Sequence, residues 1–458
     1  LIVSMSDDLT RLVKKIRSYS TQSDEANLQK AYFLAEAAHE KQMRDSGEPY
    51  FTHPLAVANI LADLKLDSKI VIVGLLHDIV EDTKYDVKYI AEKFDDEIAL
   101  LVDGVTKLNI IEFQPAQIQE AENFRKLLLA MSKDIRILLV KIADRLHNLR
   151  TLSAIKLKSR RVKIAQETIE IYSPLAARIG LHNIKEELED LSFLHIHTEA
   201  RKSILNRLDY LRKEGGQSII DHIIKDIEKM IKKAGIKNFA VSGREKTPYS
   251  IWLKMCRKNV NFEQLSDLIA FRVLVEDVND CYQALGVVHC FFHMVPKSFK
   301  DYISTPKDNG YQSLHTQVIG PKKYKIEIQI RSKAMHDIAE NGIAAHWSHK
   351  EAIKYDDFSK EYKWMKQLID ISKNSSDPKE FMRNSQLEMY QDQVFCFSPK
   401  GKLIILPNNA TAIDFAYAIH SNIGHKCMGC KINGVIAPLK TQIENGDQIE
   451  IITSENHF

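Results

Sequence analysis

The chain lacks the sequence features of a membrane or secreted protein. Among its 458 residues no run approaches the roughly 18–20 consecutive apolar residues of a membrane-spanning helix. No basic segment followed by an apolar run marks a signal peptide. The six cysteines are scattered and do not form a disulfide framework. We therefore expect a protein of a reducing, cytoplasmic compartment with no membrane partner.

A strong charge of either sign is also missing. The formal net charge is +3, which is too small to predict nucleic-acid binding by itself. Cys427 and Cys430 form a CxxC motif without a second pair to complete a zinc site, and the basic run 156–163 is typical of a solvated helix face. These features therefore do not indicate a function. The length of the chain is sufficient for two to four domains.

The hydrophobic periodicity and the composition of the sequence change along the chain. Residues 28–197 have apolar residues at helical spacing with few glycines, which predicts a helical domain over 1–197, and 198–235 continue as a helical linker. Short β-branched runs around one helix predict a mixed α/β domain over 236–350. The polar stretch 351–390 predicts a second linker. Alternating strands, turns and one helix predict a small third domain over 391–458.

The first candidate site lies at the polar end of an apolar segment. Asp67 is predicted as the N-cap of a helix that runs through 70–76. Four polar residues follow: His77, Asp78, Glu81 and Asp82. On one continuous helix, residues four apart share a surface. Desolvated carboxylates crowded in this way cost several kcal/mol unless a cation compensates them. A divalent metal is the simplest explanation.

The other ligands of such a metal are predicted from residue type. His53 precedes Pro54, which suits the first turn of a helix, and Asp144 ends another apolar run. Asn148 and Thr151 follow Asp144 on the same helix face. Each of these residues alone also fits an ordinary role, such as a capping histidine or a solvated helix end. Together they form a mixed nitrogen and oxygen set that suits Mn²⁺, Fe²⁺ or Zn²⁺ better than Ca²⁺.

A second candidate site lies in the α/β domain. Residues 325–331 alternate isoleucines with polar side chains, which by itself also fits an ordinary strand with one wet face. The strand-to-helix turn 243–250 is suited to polyphosphate oxygens. We expect Asp267 to pair with Glu327 and hold Mg²⁺, as phosphoryl-type transfer requires. The cations, amide, hydroxyl and aromatic side chains predicted around them are Arg244, Lys246, Ser250, Lys254, Lys300, Lys307, Asn309, Tyr311 and His315.

Longer motifs around these residues resemble those of a known family. One set of motifs resembles the hydrolase half of the RelA/SpoT alarmone enzymes, which are a branch of the HD-domain phosphohydrolases. These motifs are Arg44, 46–50, His53-Pro54, 77–83 and 144–148. The synthetase domain of that family is similar to 267–272, 308–316, 327–331 and Ala344-Ala345-His346-Trp347. Its TGS domain is similar to 413–420 and 435–452.

The resemblance implies a long, bifunctional Rel-type enzyme of the stringent response. Its fold would be multidomain: an all-α HD hydrolase domain, a mixed α/β, nucleotidyltransferase-like synthetase domain and a small β-grasp-like TGS domain. Hydrolysis would remove the 3′-pyrophosphate of ppGpp or pppGpp with Mn²⁺. The implied manganese ligands are His53, His77, Asp78 and Asp144, with Glu81 and Asp82 activating water and Arg44, Asn148 and Thr151 holding the guanosine nucleotide.

The same resemblance implies that synthesis moves pyrophosphate from ATP to the 3′-hydroxyl of GDP or GTP. Asp267 and Glu327 would bind Mg²⁺, with Asp267 also helping to deprotonate the attacking hydroxyl. Tyr311 would stack on the acceptor guanine. The implied ATP contacts are Arg244, Lys246, Ser250 and Lys254. The TGS domain contacts tRNA in ribosome-bound members of the family, which makes tRNA and the ribosome expected partners.

Two departures from the family pattern leave alternatives open. Bifunctional members carry an Arg-x-Lys-Asp signature, where this chain has Ser298-Phe299-Lys300-Asp301. Lys297 is the residue best placed to supply the missing charge. The chain also stops just after the TGS region, as a natural short form, a split gene or an excised piece would. The rivals to a two-site enzyme are a hydrolase with a weakened synthetase site and a non-catalytic sensor of nucleotide, tRNA or ribosome.

Overall fold

The computed structural model divides the chain into two compact units, Leu1–Ile369 and Asp370–Phe458. It describes residues 6–20, 24–107, 116–213, 217–262, 265, 268–296, 298–307, 309–321, 325–342, 363–374, 377–389, 393–407, 410–444 and 446–454. Among these residues, no helix has the length and apolar character needed to cross a membrane.

The first unit begins with helices, as predicted. They are α1 (Asp7–Arg17), α2 (Glu25–Ala38), α3 (Thr52–Asp63), α4 (Ser68–Leu76), α5 (Ile79–Asp82), α6 (Val87–Lys93), α7 (Asp96–Thr106), α8 (Ala116–Met131), α9 (Arg136–Arg150), α10 (Lys158–Glu167), α11 (Ser173–Arg178), α12 (His182–Ile196), α13 (Thr198–Leu211) and α14 (Gln217–Lys233). Asp67 caps α4 by accepting a hydrogen bond from the Ile70 N–H at 3.0 Å. Every residue of α4 except Lys69 is buried, as expected of a helix that is apolar on nearly all sides.

One predicted helix is interrupted at the polar residues that follow α4. The helix ends at Leu76, and α5 starts only at Ile79. The His77 ring contacts the Gly74 carbonyl at 2.9 Å, which in a continuous helix accepts the N–H of residue 78. His77 is fully buried whereas Glu81 is exposed. The prediction that these residues share one helix surface was therefore wrong.

The α/β part of the first unit is built around one mixed sheet. Its strands are β1 (Ala240–Glu245), β2 (Ile269–Val275), β3 (His293–Met294), β4 (Lys300–Asp301), β5 (Leu314–Ile319) and β6 (Lys325–Ser332), with helices α15 (Pro248–Lys258), α16 (Val278–Phe291) and α17 (Lys333–Asn341). The order is β1-β2-β6-β5-β3, with β4 also paired to β5. Only the β2–β6 pairing among these described strands is parallel. Apolar side chains of α14 and α16 share a core with one face of this sheet.

The alternation predicted for 325–331 is confirmed for the isoleucines and fails at its last residue. Ile326, Ile328 and Ile330 are buried in the core. Arg331, which was expected on the wet face, has only 2% of its surface exposed. The cause is tertiary, because α17 folds back from the end of β6 and places Glu340 against the arginine.

The second unit contains a small domain built on two separate sheets. Its elements are α19 (Pro378–Met389), β7 (Gln393–Phe397), β8 (Leu403–Pro407), α20 (Ala412–Ile419), α21 (Ser421–His425), β9 (Cys427–Ile432), β10 (Val435–Ala437) and β11 (Ile449–Thr453). Strands β7 and β8 form a hairpin, and β10-β9-β11 form the other sheet. Helix α18 (Lys363–Asn374) and α19 fall within the predicted linker 351–390, so its described residues are largely helical. Cys427 and Cys430 lie on β9 as free thiols.

Candidate functional site

Three helical segments of the first unit bring predicted metal ligands together. His53 lies in the first turn of α3, His77 directly follows α4, and Asp144 lies on α9. One ligand atom from each of these residues lies within 4.8 Å of the other two. His53 and His77 are buried, with 3% and 0% of their surfaces exposed. Packing of helices distant in sequence therefore forms a compact nitrogen and oxygen cluster.

Asp78 borders the same cluster. Its Oδ1 lies 3.1 Å from His77 Nε2, and its Oδ2 lies 3.5 Å from His53 Nε2. The His53 Nε2 atom is also 3.2 Å from Asp144 Oδ1. Each of the two histidines therefore lies within 4 Å of both predicted carboxylate ligands, Asp78 and Asp144.

The orientation of His77 provides a test of whether this cluster fits a metal. Its Nδ1 contacts the Gly74 carbonyl, which can only accept, so Nδ1 carries the proton. The Nε2 atom then presents a lone pair, and it is buried without a hydrogen-bond partner. A lone pair that faces carboxylate oxygens is stabilised by a cation between them. The donor set therefore fits a divalent metal, with the Gly74 carbonyl holding the ligand in place.

The orientation of His53 follows from a pair of contacts that the sequence analysis missed. Its Nδ1 lies 2.7 Å from His147 Nδ1, and Arg44 Nη1 lies 3.0 Å from the same atom. Because arginine can only donate, His147 Nδ1 accepts, and His53 donates from Nδ1. Burial lowers the pKa of His147 to about 3, which keeps it neutral. The His53 Nε2 lone pair is thereby directed toward the carboxylates. The signal available in sequence was the position of His147 three residues after Asp144.

A buried lysine stabilises the Asp144 carboxylate. Lys141 has 4% of its surface exposed, and its Nζ lies 3.4 Å from Asp144 Oδ2. Burial alone would raise the pKa of Asp144, but opposing charges, the largest being that of Lys141, hold that pKa well below its ordinary value. Asp144 is therefore ionised, which is the form that binds a metal. In the sequence, Lys141 lies within the apolar run that ends at Asp144, and periodicity alone does not mark it as a charge partner.

The two acids predicted to activate water lie on the short helix α5, and both are exposed. The Tyr50 hydroxyl lies 2.7 Å from Asp82 Oδ2 and 3.0 Å from Asp78 Oδ2. It therefore links Asp82 to the metal-ligand cluster. Glu81 precedes Asp82 on the same helix.

The three residues predicted to hold the guanosine nucleotide contact one another beside the cluster. Arg44 Nη2 donates to Asn148 Oδ1 at 2.9 Å and to Thr151 Oγ1 at 3.4 Å. Asn148 Nδ2 in turn donates to Asp144 Oδ1 at 2.6 Å. The group is thus connected directly to a predicted metal ligand.

The second site lies on the polar face of the sheet. Glu327 Oε2 lies 2.8 Å from Lys246 Nζ, and its Oε1 accepts from Gln329 Nε2 at 3.2 Å. Burial would raise the pKa of Glu327, but Lys246 outweighs it and lowers that pKa below its usual value. Glu327 is therefore ionised and already paired with a cation. Its predicted magnesium partner Asp267 lies outside the described residues.

Aromatic and basic residues of the predicted nucleotide site surround Tyr311. Its hydroxyl lies 2.8 Å from His315 Nε2, and Lys307 Nζ lies 5.8 Å from its ring centroid. Asn309 Oδ1 accepts from the Tyr311 N–H at 3.1 Å, while Asn309 Nδ2 donates to the Ala177 carbonyl at 3.0 Å. Burial lowers the pKa of His315 to about 4, so this imidazole is neutral at pH 7.

The remaining predicted residues are placed less uniformly. Ser250 Oγ donates to the Thr247 carbonyl at 2.8 Å, which engages its hydroxyl with the start of α15. Arg244 forms an ion pair with Glu186 of α12. Lys254 lies on α15 and Lys300 on β4. Ser298 Oγ donates to the Val295 carbonyl at 2.6 Å, next to β5, whereas Lys297 lies outside the described residues.

Taken together, the fold and the first site define the class of protein: a helical HD-type domain with a divalent-metal cluster, an α/β domain and a small β domain. Comparison with known families agrees. The HD domain matches residues 31–182, the region found in RelA/SpoT proteins matches 243–354, and the TGS domain matches 394–453. The chain belongs to the RelA/SpoT family, which confirms the predicted family and fold class.

Curated relatives match almost the whole chain. GTP pyrophosphokinase rsh of Brucella melitensis is 47% identical over 97% of this chain and 60% of its own length. The bifunctional (p)ppGpp synthase/hydrolase SpoT of Escherichia coli is 42% identical over 96% of this chain and 62% of its own. Guanosine-3′,5′-bis(diphosphate) 3′-pyrophosphohydrolase of Haemophilus influenzae is 44% identical over 92% and 62%. The chain thus spans about three fifths of the length of the curated relatives it matches.

Proposed function

We propose that the chain carries out both halves of (p)ppGpp metabolism, hydrolysis in the HD domain and synthesis in the α/β domain. The observation that carries the hydrolase assignment is the cluster of buried His53 and His77 with half-buried Asp144, whose ligand atoms lie within 4.8 Å of one another. Two relatives of the chain are named as a bifunctional (p)ppGpp synthase/hydrolase and as a 3′-pyrophosphohydrolase. We propose a cytoplasmic site of action, where ATP and guanine nucleotides are found.

For hydrolysis we propose Mn²⁺ held by His53, His77, Asp78 and Asp144, the softer nitrogen ligands favouring it over Mg²⁺. When bound, this ion would polarise the 3′-pyrophosphate and lower the pKa of water. The side chains of the protein orient the acids and deprotonate the attacking water. Tyr50 holds the Asp82 carboxylate 2.7 Å from its hydroxyl, and Asp82 with Glu81 accepts the proton of the attacking water.

The guanosine nucleotide would be held by Arg44, Asn148 and Thr151. Arg44 donates from Nη2 to Asn148 and Thr151. A guanidinium has five N–H donors in all, so others remain for phosphate oxygens. Because Asn148 also bonds Asp144, binding of the nucleotide is linked to the position of a metal ligand. This link would align the pyrophosphate with the attacking water.

For synthesis we propose Mg²⁺ held by Asp267 and Glu327, which would neutralise the ATP phosphates. Asp267 would accept the proton of the 3′-hydroxyl of GDP or GTP, and Tyr311 would stack on the acceptor guanine. Lys246 must then shift its pairing from Glu327 to phosphate oxygens, since the two are in contact at 2.8 Å. The other proposed nucleotide contacts are Arg244, Ser250, Lys254, Lys300, Lys307, Asn309 and His315.

The proposal is tested with the purified chain in two separate reactions. Labelled ATP with GDP or GTP should yield ppGpp or pppGpp in the presence of Mg²⁺. Labelled ppGpp with Mn²⁺ should yield GDP and pyrophosphate, and chelation should stop the release. Full hydrolysis after exhaustive chelation would contradict the metal assignment.

A second candidate is a hydrolase whose synthetase activity is weak. Ser298 favours it, because the hydroxyl is neutral where the family signature has arginine, and it donates to the Val295 carbonyl at 2.6 Å. In this case the first reaction is slow and the second remains fast. For the TGS domain we propose contact with tRNA or the ribosome, which binding to deacylated tRNA and to purified ribosomes would test.

A further inference from the structure

We propose that Glu340 is a positioning residue of the sheet site, where it orients the guanidinium of Arg272 to bind a nucleoside triphosphate. Nothing in the sequence motifs discussed above singles out Glu340. The inference rests on the proposed synthetase function, because the nucleotide in question is the ATP of that reaction.

One carboxylate is shared between two arginines and a second region of the fold. Oε1 of Glu340 lies 3.0 Å from Arg272 Nη1 and 2.9 Å from Arg331 Nη2. His336 Nδ1, one turn earlier on α17, lies 3.5 Å from the same oxygen. Oε2 accepts a hydrogen bond from Asn183 on α12. Both oxygens therefore have defined partners, and α12 sets the orientation of the carboxylate.

The register of the sheet places Arg272 beside the proposed catalytic residue. Arg272 on β2 is opposite Gln329 on β6, and Gln329 is opposite His315 on β5. Glu327 lies two residues before Gln329 and therefore on the same face of the strand. Arg272 thus lies on the polar face, one row from Glu327, where a bound polyphosphate would lie.

The charges around Glu340 are unbalanced. Two guanidinium groups share one carboxylate oxygen, and Arg331 has 2% of its surface exposed with its Nε atom lacking a hydrogen-bond partner. Burial and the nearby Arg272 both lower the pKa of Arg331. Burial would raise the pKa of Glu340, but Asn183 and the arginines outweigh it, so Glu340 is ionised. Without that charge the two arginines would repel each other and move apart.

Arg272 retains donors for a ligand after this contact is made. A guanidinium has five N–H donors in a planar fork, and Glu340 uses the Nη1 end. Fixing one end of the fork orders the other in advance, which reduces the entropy that a nucleotide must overcome to bind. Glu340 is therefore expected to affect binding of ATP more than the chemical step.

The test compares the unmodified chain with the Glu340→Gln variant. The glutamine keeps an oxygen for the arginines but removes the negative charge and places an N–H donor against Asn183. We expect the KM for ATP in synthesis to rise roughly tenfold, as for a lost charge-assisted contact, with a smaller change in kcat and no change in hydrolysis. The matched control is Glu276→Gln, which removes an exposed ion pair with Lys333. Lys333 lies on α17, as Glu340 does, and this control should change neither reaction.

A double variant separates positioning by charge from a merely structural contact. Glu340→Gln combined with Asn183→Asp restores a donor and an acceptor across that contact while moving the charge away from the arginines. We expect it to recover the melting temperature of the unmodified chain but not its KM for ATP. Full recovery of KM, or a Glu340→Gln variant with unchanged KM, would overturn the inference.

Direct binding of ATP, measured by calorimetry, separates this inference from the proposed function. If the unmodified chain makes no product but binds ATP, the synthetase proposal fails, and weaker ATP binding by Glu340→Gln still supports the role of Glu340. If the unmodified chain neither makes product nor binds ATP, both are wrong. If it binds ATP and Glu340→Gln binds equally well, only the role of Glu340 is refuted.

Discussion

The two candidate sites of this chain solve opposite electrostatic problems. In the helical cluster, two imidazole lone pairs face two carboxylates, and His77 Nε2 has no hydrogen-bond partner. On the sheet face, the key carboxylate is already compensated, because Glu327 pairs with Lys246 at 2.8 Å. The first arrangement is stabilised by an added cation. The second is balanced internally, and under the proposed function it would have to exchange partners when a nucleotide binds.

This difference predicts how each site responds to substitution. A cluster organised around one cation loses its function when any ligand is removed, since the remaining charges repel one another. A face made of paired charges should lose contacts more gradually, because each cation would be one of several that neutralise the proposed polyphosphate. The helical site should therefore be more sensitive to single changes than the sheet site.

The largest expected effect is at a predicted metal ligand. Asp78→Ala removes a carboxylate that contacts both His53 and His77. We expect ppGpp hydrolysis to fall on the order of a thousandfold or more, with synthesis unaffected. The control is Asp8→Ala, which removes an exposed ion pair with Arg11. Equal loss of both activities in a folded variant would contradict the separation of the two sites.

The next effect tests the sheet face. Glu327→Gln keeps the shape of the side chain but removes the charge proposed to hold Mg²⁺. Synthesis should fall by roughly 10²–10³-fold, while hydrolysis stays measurable. The variant also releases Lys246, so its melting temperature should be recorded in parallel. Retained synthesis would remove Glu327 from the catalytic assignment.

A smaller effect is expected from a residue that orients a ligand without binding the metal. His147→Ala removes the acceptor that fixes His53 at 2.7 Å. Such outer partners typically account for about 10–100-fold in metal affinity, so Mn²⁺ affinity measured by calorimetry should fall by that amount. His222→Ala, on an exposed side chain with 70% of its surface accessible, is the control. Unchanged affinity would mean that His53 needs no orienting partner.

The smallest expected effect is a gain at the departure from the family signature. Ser298→Arg adds a charged fork where the serine hydroxyl now donates to the Val295 carbonyl. We expect synthesis to rise about tenfold, the lower end of what one charge-assisted contact of about 1.5–3 kcal/mol supplies. The loss of the backbone contact should lower stability slightly. Strong synthesis by the unmodified chain, without improvement in the variant, would show that the charge is already supplied elsewhere.

Much of the local structure could be predicted from sequence because its causes are local. Asp67 caps α4 through a bond to Ile70 N, three residues away, and the isoleucines of β6 follow the two-residue period of a strand. The family motifs are also contiguous in sequence. For this reason the domain order and the family could be predicted before any coordinates, together with the segments that carry the two candidate sites.

The tertiary structure alone decided which of these residues meet. His53 and His147 are 94 positions apart and touch only because α3 packs against α9. The burial of Arg331 and its sharing of Glu340 with Arg272 depend on α17 folding back over the sheet. The break at His77 depends on a side-chain contact with Gly74 that competes with the helix. Sequence periodicity encodes the face of an element, whereas contacts between elements depend on how those faces pack in three dimensions.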